Sequence, residues 1–525
     1  MGRLFLGLDS STQSLSAIVV DFDAREVVYE GTVIYDEDLQ AYGTRNGVLV
    51  NDDPKVVHAP PLMWADALDV LLDRMKREGA PLSKILAISG SGQQHGSVYL
   101  NEAASTALGA LDPEVDLKTN LKGIFSRETS PIWMDSSTRK ECDEISESLG
   151  GMVAAAEATG STTFERFTGP QIRKFFKDDP DAYEKTRSIG LVSSFMASVL
   201  SGRIVPIDHG DGSGMNIMDI RNRIWGERAL PATAPDLENK LPELADPWQV
   251  VGAISPYFQQ RYGLVRDAKV IAWSGDNPNS VIGLGLIREG MVAISLGTSD
   301  TYFGTMELCR IDPRGEGHVF VSPTGDYMSL ICFKNGSLAR ERICEQFGMG
   351  WPAFSAALQS TPPGNSGRVM LPYFEPEIVP NMLEPGIRRF DLQEDDPAGN
   401  CRAVVEAQMM SMRIHSAWMR VSPVAIYATG GGSVNREILQ IMADVHECPV
   451  HRFEVTNSAA LGAALRAVHG YLIDVGEEIE WASVVEGLAE PVAGSIVEPN
   501  RATAGVYAEL MKKYRMCEER VTSRA

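Results

Sequence analysis

A single carboxylate lies where an apolar segment ends. Residues 273–280 read "WSGDNPNS" directly after "KVIAW", so Asp276 stands between Gly275 and Asn277. Gly, Asp, Asn and Pro are turn residues, and Pro278 disfavours helix at the residue before it, so one interpretation is a plain bend. The other is proton transfer, because an aspartate with a pKa of about 3.9 is ionised at neutral pH and accepts a proton from a hydroxyl.

Two loops rich in hydroxyl groups and glycine follow strand-like segments in the two halves of the chain. Asp9 ends the first such segment and leads into the hairpin "SSTQS" at 10–14, and "SLGTSD" at 295–300 has a similar pattern. Free N–H groups and hydroxyls in such turns bind phosphate oxygens, and a carboxylate beside them holds Mg²⁺ through water. Either loop alone could be a surface hairpin, but together they predict a nucleotide phosphate chain held from both sides of a cleft. The candidate phosphate-binding residues are Thr12, Gln13, Gly297 and Thr298.

A third glycine cluster, "ATGGGSVNRE" at 428–437, follows an apolar segment and precedes a helix that Asn435 could cap. Its glycines, Gly431 and Gly432 among them, permit the close approach of a flat ligand. The spacing is not GxGxxG, and the chain lacks a Walker A lysine. A structural left-handed turn therefore remains an equal alternative.

Three further segments carry polar or aromatic side chains. "SGSGQQHGSVY" at 89–99 reads as a loop after a strand, and its Gln94 and His95 suit hydrogen bonding to a polyol, although a simple polar turn explains them too. "SPIWMDSST" and "FERFTGPQIRK" contribute Trp133, Asp135 and Arg166. A buried tryptophan and a paired arginine would account for these segments without function.

The elements that must position these residues form two similar series. The first half predicts strands at 4–8, 15–21 and 26–33 as a meander, a helix at 61–79 and a strand at 84–89. The second half predicts strands at 290–300, 301–305, 318–323, 327–333 and 424–432, with helices at 402–419, 435–447 and 457–468. We therefore expect a duplication of two α/β domains, at 1–287 and 288–525, that share a cleft.

Composition excludes several classes of protein. The chain has 525 residues, 44% hydrophobic and 22% charged, which fits a globular protein of more than one domain. The net charge of −22 argues against nucleic acid or an anionic membrane as a partner. Seven cysteines without a CxxC pair indicate reduced thiols. The absence of a signal peptide or a membrane span in the sequence predicts a cytoplasmic protein.

Taken in order, the motifs resemble those of the FGGY carbohydrate kinase family over nearly the whole chain. They are "GLDSSTQS", "SGSGQQHGSVY", "WMDSST", "ERFTG", "DGSGMN", "SGDNP", "SLGTSDT", "CFKNGS" and "TNSAALGAALRA". The likeness is greatest to the eukaryotic branch of members that act on the ketose D-xylulose. Gln94 fits that branch, because bacterial-type members usually have Met there, whereas Leu100 stands where the branch tends to have Trp.

The resemblance implies two duplicated actin-like (ribonuclease H-like) ATPase domains with the active site in a cleft between them. It implies transfer of the ATP γ-phosphoryl group to the C5 hydroxyl of D-xylulose, with Mg²⁺ near Asp9. The implied sugar site has Asp276 as catalytic base and Gln94, His95, Arg166 and Asn277 as ligands. The implied ATP site comprises Thr12, Gln13, Gly297, Thr298, Trp351, Gly431, Gly432 and Asn435.

Two alternatives to this activity remain. One is a sister kinase of the family that acts on ribulose, gluconate or another polyol. The other is a non-catalytic actin-like regulator that binds sugar or nucleotide. A regulator would be expected to lack the base or a phosphate loop, and this sequence has both. The expected partners are the small-molecule sugar and ATP, and the chain is expected to be a monomer or a homodimer.

Overall fold

The computed structural model describes residues 2–454 and 457–522, and in it the chain forms two compact units. Unit 1 comprises Met1–Ile287, Phe320–Tyr327 and Val455–Glu490, and unit 2 comprises Arg288–Val319, Met328–Glu454 and Pro491–Ala525. The predicted division after residue 287 coincides with the end of the first segment of unit 1. Two later segments, which the sequence analysis placed in the second domain, nevertheless pack with that unit.

Each unit is built on a mixed sheet with the same central plan. The strands of the first sheet are β1 (Leu4–Ser10), β2 (Ser14–Asp21), β3 (Glu26–Ile34), β4 (Ile85–Gly92), β5 (Val250–Ala253), β6 (Lys269–Ile271) and β7 (Ser274–Gly275). Their order in the sheet is β5-β6-β4-β1-β2-β3, with β7 also paired to β4. The β1–β3 strands form an antiparallel meander, and β4 pairs in parallel with β1, β6 and β7.

The second sheet has the order β10-β11-β9-β8-β12-β13. Its strands are β8 (Met291–Leu296), β9 (Asp300–Met306), β10 (His318–Val321), β11 (Tyr327–Phe333), β12 (Ala425–Thr429) and β13 (Val450–Arg452). As in the first sheet, the leading strand pairs antiparallel with the next one and parallel with a strand much later in the chain. The predicted duplication is therefore present in the topology of the two sheets.

Helices flank these sheets. The main ones are α1 (Pro61–Arg77), α2 (Arg139–Leu149), α3 (Thr168–Asp178), α4 (Val192–Ser201), α5 (Asp276–Gly283), α6 (Ser337–Gln346), α7 (Trp351–Ser360), α8 (Pro397–His415), α9 (Arg436–His446), α10 (Ser458–Asp474) and α11 (Ala504–Thr522). Shorter helices are Tyr35–Asp38, Ala104–Gly109, Leu117–Asn120, Met152–Thr159, Pro180–Lys185, His209–Gly212, Ala229–Thr233, Pro256–Tyr262 and Trp481–Val485. Small two-stranded pairs join Ser97–Leu100 with Ser188–Leu191, His58–Ala59 with Ser130–Pro131, Ile207–Asp208 with Leu244–Ala245, Met218–Asp219 with Ile224–Trp225, and Val369–Tyr373 with Gly386–Phe390.

Helix α10 explains why a late segment belongs to unit 1. The helix is buried along most of its length and packs on β1, β4 and α5. A Cβ at Gly7 of β1 would overlap the carbonyl oxygen of Ala460, and one at Gly462 would overlap the carbonyl oxygen of Asn279. Only glycine permits backbones to approach this closely. The periodicity of the sequence showed a helix here but could not show which sheet it covers.

Several predicted boundaries differ from the structure. The segment 290–300, predicted as one strand, is divided into β8 and the start of β9 by a loop at 297–299. The glycines and serines at 89–92 belong to strand β4, because their backbone pairs with β1, so the loop begins only at Gln93. Within the described ranges, no helix combines the length and apolar character needed to cross a membrane.

Candidate functional site

Asp276 is the first residue of helix α5 and directly follows β7. The predicted bend is therefore wrong, because the helix includes both Asn277 and Pro278. Proline is tolerated in this position since the N–H groups of the first helical turn have no partner within the helix. The carboxylate thus lies at a helix N-terminus, where the helix dipole favours negative charge.

Two backbone N–H groups and one side-chain amide hold the Asp276 carboxylate in place. The backbone N–H of Gln94 donates to Oδ1 at 3.2 Å and that of Asn277 at 2.9 Å. The side-chain amide of Asn277 also donates to Oδ1 at 3.1 Å and to Oε1 of Gln94 at 2.9 Å. The structure therefore brings together three of the predicted sugar-site residues in one hydrogen-bonded cluster.

Burial, together with the negative charge of Asp9, raises the pKa of Asp276 to about 7, and the N–H groups of Gln94 and Asn277 limit that rise. A carboxyl group with this pKa changes protonation near neutral pH, as a proton acceptor in catalysis should. The geometry and the electrostatics of Asp276 therefore suit a group that accepts a proton.

Asp9 and Asp276 lie on either side of the end of strand β4. In the register of the parallel pairs, Asp9 is opposite Ser91, and Gly275 is opposite Gly92. The carboxyl ends of neighbouring parallel strands meet at one edge of a sheet, which is where open α/β sheets bind ligands. Two acidic side chains from distant parts of the sequence thus face the same edge.

The Asp9 carboxyl group is only partly satisfied. The hydroxyl of Ser11 donates to its Oδ2 at 2.5 Å, whereas the buried Oδ1 has no hydrogen-bond partner among the described residues. Burial raises the pKa of Asp9, and the hydroxyls of Ser11 and Ser91 partly offset that rise. Buried acceptors without partners are rare, so this oxygen fits a site for a cation or a cation-bound water.

The donor set agrees with Mg²⁺ rather than with a metal held only by protein. Among residues 2–454 and 457–522, no group of three or more His, Cys, Asp or Glu side chains could hold a metal ion. Mg²⁺ typically uses one or two carboxylates and completes its shell with waters and substrate phosphates. Asp9 with its free Oδ1 meets that requirement.

His95 is held by a segment that the sequence analysis gave no role. Its Nδ1 is 2.8 Å from the carbonyl oxygen of Gly214, and its ring packs 4.4 Å from that of Phe167, centroid to centroid. A Cβ at Gly214 would lie 2.9 Å from Nε2 of Gln94 and 3.2 Å from the His95 ring. The "DGSGMN" segment thus supports the sugar loop through backbone contact. Its glycines were the only feature of the sequence that could have indicated such a close approach.

The first predicted phosphate loop has a tryptophan at its edge. The indole N–H of Trp133 donates to Oγ1 of Thr12 at 2.8 Å, and Thr12 donates to Oε1 of Gln93 at 3.3 Å. Trp133 is 43% exposed, so the expectation of a buried tryptophan is wrong. Gln13 is exposed, and its carbonyl oxygen accepts a hydrogen bond from the backbone of Tyr35 at 2.9 Å.

The remaining predicted residues of unit 1 have mixed environments. The Arg166 guanidinium stacks on the Phe164 ring at 4.5 Å. Asp135 is buried, and its carboxylate accepts hydrogen bonds that fix the local loop, including one from the side chain of Gln171 at 2.8 Å. Leu100 is buried in the core of unit 1, so its departure from the family pattern changes packing there.

A buried polar network supports the start of α5, and sequence reasoning missed it. Arg466 of α10 donates to Asp208 at 3.1 Å and to Oδ1 of Asn279 at 3.2 Å. The Asn279 amide in turn donates to the carbonyl oxygens of Gly90 at 3.2 Å and Gly275 at 2.9 Å. These contacts link residues far apart in sequence, so no local pattern could have indicated them.

Asp211 lies beside the same cluster. The Ser193 hydroxyl donates to its Oδ2, and a Cβ at Gly275 would lie 2.9 Å from its Oδ1. Burial holds the pKa of Asp211 well above its usual range, and the charges of Asp208 and Asp276 add to that effect. This carboxyl group is a further neighbour of the Asp276 side chain that the sequence analysis left without a role.

In unit 2, the second predicted phosphate loop joins β8 to β9. The carbonyl oxygen of Gly297 accepts a hydrogen bond from the backbone of Ser337 at 2.8 Å, and that of Thr298 accepts one from Leu338 at 3.4 Å. Thr298 is exposed. The first turn of α6 therefore fixes the position of this loop.

A cleft of about 630 Å³ in unit 2 is lined by all four predicted adenosine residues. It is lined by Ser337, Arg340, Glu341, Trp351, Pro352, Ser355, Gln359, Gly431, Gly432, Val434, Asn435, Arg436, Glu437 and Ile438. Trp351 is 46% exposed, which leaves its ring available to a flat ligand. A volume of this size suits a small-molecule cofactor.

The predicted cap at Asn435 is present. Its Oδ1 accepts from the N–H groups of Glu437 at 3.0 Å and Ile438 at 3.4 Å, and its Nδ2 donates to Oγ of Ser355 at 2.8 Å. The glycine turn just before it does include the left-handed residue that the structural alternative required, since Gly430 has a φ of 79°. A Cβ at Gly431, by contrast, would meet open space.

Comparison with known proteins gives matches over both halves of the chain. The profile described as "FGGY family of carbohydrate kinases, N-terminal domain" matches residues 129–283, and the corresponding C-terminal domain profile matches residues 292–471. Xylulose kinase of Rattus norvegicus is 44% identical over 100% of this chain and 98% of its own length. The chain belongs to the FGGY family of carbohydrate kinases. It is therefore an enzyme that phosphorylates a sugar, with ATP as the phosphoryl donor.

Further relatives cover the chain to a similar extent. Xylulose kinase 2 of Arabidopsis thaliana is 41% identical over 99% of this FGGY chain and 98% of its own length. The crystal structure of xylulose kinase from Rhodospirillum rubrum superposes with a TM-score of 0.83 at 21% identity, covering 99% of each chain. The structural likeness confirms the expected fold, with two actin-like (ribonuclease H-like) ATPase domains.

Proposed function

We propose that this FGGY kinase transfers the γ-phosphoryl group of ATP to the C5 hydroxyl of D-xylulose, giving D-xylulose 5-phosphate. The relatives named above support the choice of sugar, because two of them are xylulose kinases at 41% and 44% identity. The single observation that carries the mechanism is the Asp276 carboxylate, which is fixed by two N–H groups and has a pKa of about 7.

In this mechanism Asp276 accepts the proton of the attacking hydroxyl. The N–H groups of Gln94 and Asn277 hold Oδ1, which leaves Oδ2 to face the sugar. Asn277, Gln94, His95 and Arg166 would orient the ketose so that its hydroxyl meets that oxygen. Phosphoryl transfer depends mainly on such positioning and on charge neutralisation.

Charge neutralisation would come from Mg²⁺ and from the two loops. When bound, Mg²⁺ neutralises charge on the phosphates, and Asp9 is the residue that would hold it. Thr12 and Gln13 would contact the phosphates in unit 1, and Gly297 and Thr298 in unit 2. Trp351, Gly431, Gly432 and Asn435 would bind the adenosine in the cleft of unit 2.

A coupled assay of ADP release over a panel of ketoses and polyols tests the proposal. D-Xylulose should give the highest kcat/KM, ahead of ribulose and gluconate. A higher kcat/KM for another sugar would overturn the substrate assignment but leave the kinase family intact. If Asp276→Asn phosphorylates D-xylulose at nearly the wild-type rate, the proposed base is wrong.

A further inference from the structure

A fully buried ion pair lies directly behind the loop at 297–299. Asp300 and Arg340 are 0% and 1% exposed, and their contact is bidentate, with N–O distances of 3.0 and 3.1 Å. Asp300 is the first residue of β9, and Arg340 lies in the first turn of α6 and lines the cleft of unit 2. The ion pair therefore joins the C-terminal end of the loop to helix α6, whose first N–H groups donate to the carbonyl oxygens of the loop.

Arg340 uses every N–H of its two terminal nitrogens inside unit 2. Besides Asp300, Nη1 donates to Oε1 of Gln408 at 2.7 Å, and Nη2 donates to Oγ of Ser337 at 3.0 Å. Each Nη carries two hydrogens, so these four bonds exhaust them. The guanidinium lines the cleft but has no terminal donor left for a phosphate, so its effect on a ligand must be indirect.

The surrounding contacts make the loop and the helix one rigid piece. The amide of Gln408 donates to the carbonyl oxygens of Asn335 at 2.7 Å and Gly336 at 2.9 Å. A Cβ at Gly336 would lie 2.5 Å from Oδ1 of Asp300 and 2.6 Å from its backbone nitrogen. Burial raises the pKa of Asp300, and the Arg340 guanidinium and the backbone N–H of Gly297 oppose that rise. The Asp300 carboxylate thus interacts with groups at both ends of the loop and with the helix.

We propose that the ion pair between Asp300 and Arg340 is the positioning element of the ATP phosphate loop, and that it acts through the loop backbone without touching the nucleotide. The inference rests on the proposed role of Gly297 and Thr298 in binding phosphate. Because Thr298 is exposed, its hydroxyl is the side-chain group that this loop would present to a phosphate. Loss of the ion pair would free the loop and weaken binding of the phosphates alone.

Loss of the ion pair should weaken the binding of ATP but not that of adenosine, which lacks the phosphates. Arg340→Met should raise the Kd of ATP by about tenfold, which corresponds to ~1.4 kcal/mol, and leave the Kd of adenosine within twofold of wild type. Arg340→Lys keeps the charge but not the bidentate contact, so its effect on ATP should be intermediate. In turnover, the KM for ATP should rise while the KM for D-xylulose stays unchanged.

A matched control exists in the same unit. Arg402 and Glu406 form another buried ion pair, with a contact of 2.7 Å, and neither residue lines the cleft. Arg402→Met should destabilise unit 2 comparably, as a lower thermal midpoint shows, because it too leaves a buried carboxylate without its partner. Its ratio of ATP affinity to adenosine affinity should remain that of the wild type.

Isothermal titration calorimetry with ATP and with adenosine gives both constants on the intact chain. Equal losses for the two ligands in Arg340→Met, or an unchanged Kd for ATP, would overturn the proposal. If Arg340→Met does not fold, Arg340→Lys and Gln408→Met carry the same test. Thr298→Val distinguishes the two proposed roles. If it leaves the ATP Kd unchanged, the phosphate role of Thr298 fails, whereas an effect at Thr298 with none at Arg340 defeats only the positioning role of the ion pair.

Discussion

The two units share a strand-loop-strand arrangement, but the carboxylate beside the loop has opposite surroundings in the two units. In unit 1, Asp9 lies at the end of β1 with one oxygen lacking any partner among the described residues. In unit 2, Asp300 lies at the start of β9, and Arg340 neutralises it. An unpaired carboxylate attracts cations and protons, whereas a neutralised one can hold backbone near an anion. Under the proposed function, the first loop would serve the metal and proton chemistry and the second would serve anion binding.

The largest effect should come from the base of unit 1. Asp276→Asn removes the proton acceptor but preserves the size of the side chain, so kcat should fall by ~10²–10⁴-fold. A coupled assay with D-xylulose measures this fall. The thermal midpoint should not drop, because burial already opposes the charge of Asp276. A variant that loses activity together with its fold would give no support to the catalytic role.

The second-largest loss of activity should come from Asp9, the unpaired carboxylate of unit 1. Asp9→Asn removes the negative charge proposed to hold Mg²⁺, and kcat should fall by about 10²-fold, since metal ligation contributes several kcal/mol to such reactions. The concentration of Mg²⁺ at half-maximal rate should rise in a titration from micromolar to millimolar metal. Asp300→Asn in unit 2 serves as the contrast. If both variants shift the Mg²⁺ requirement equally, the division of labour between the loops is wrong.

The dependence of kcat/KM on pH should reflect the raised pKa of the Asp276 carboxyl group in unit 1. The folded-state pKa of Asp276 is about 7, well above the ordinary value of 3.8, and the carboxyl groups of Asp9 and Asp211 face it. The base works only when ionised, so kcat/KM should rise with pH up to about 7 and fall about tenfold per unit below about 6. A flat profile from pH 5 to 8 would contradict a base with this pKa.

Stability should change with pH in the opposite sense. Between the unfolded pKa near 3.8 and the folded pKa near 7, the folded chain binds more protons at Asp276 than the unfolded chain. The contribution of this group to the free energy of unfolding therefore decreases as pH rises through that window. Asp276→Asn should raise the thermal midpoint more at pH 8 than at pH 5, as differential scanning calorimetry can show.

The smallest effect should come from the helix cap in unit 2. Asn435→Ala removes the bonds to the first N–H groups of α9 and should cost about 1 kcal/mol in unfolding free energy. Asn435→Ser retains a capping oxygen and should restore most of that stability. If Asn435 also contacts the nucleotide, the KM for ATP should remain raised in both variants, and a return to the wild-type KM in the serine variant would limit the residue to capping.

Local patterns predicted much of the fold. The meander β1–β3 and helix α1 were each placed within two residues, because alternation and helical periodicity are set by which face is buried. The start of α5 was missed, since the rule against helix before proline does not hold in a first helical turn. Sequence chemistry and family resemblance together indicated Asp276, Gln94 and Asn277, which the structure joins in one cluster.

The supporting contacts could not be predicted from local patterns. Asp300 reads as part of a hydroxyl-rich turn, and nothing in the sequence pairs it with Arg340, 40 positions later. A buried tryptophan was one expectation for Trp133, but the residue is 43% exposed and its indole N–H donates to Thr12. Such contacts depend on the three-dimensional fold, so their partners became visible only in the structure.

The late helix α10 has a consequence for the order in which the chain can fold. A ribosome must synthesise residues up to Asp474 before α10 can cover β1 and bring Arg466 to Asp208. Until then, Asp208 in the nascent unit 1 has no arginine to compensate its burial. A fragment that ends at residue 287 should therefore aggregate or remain partly unfolded, although it contains the proposed base and metal ligand. Supplying residues 455–490 as a separate segment or by circular permutation should restore its solubility.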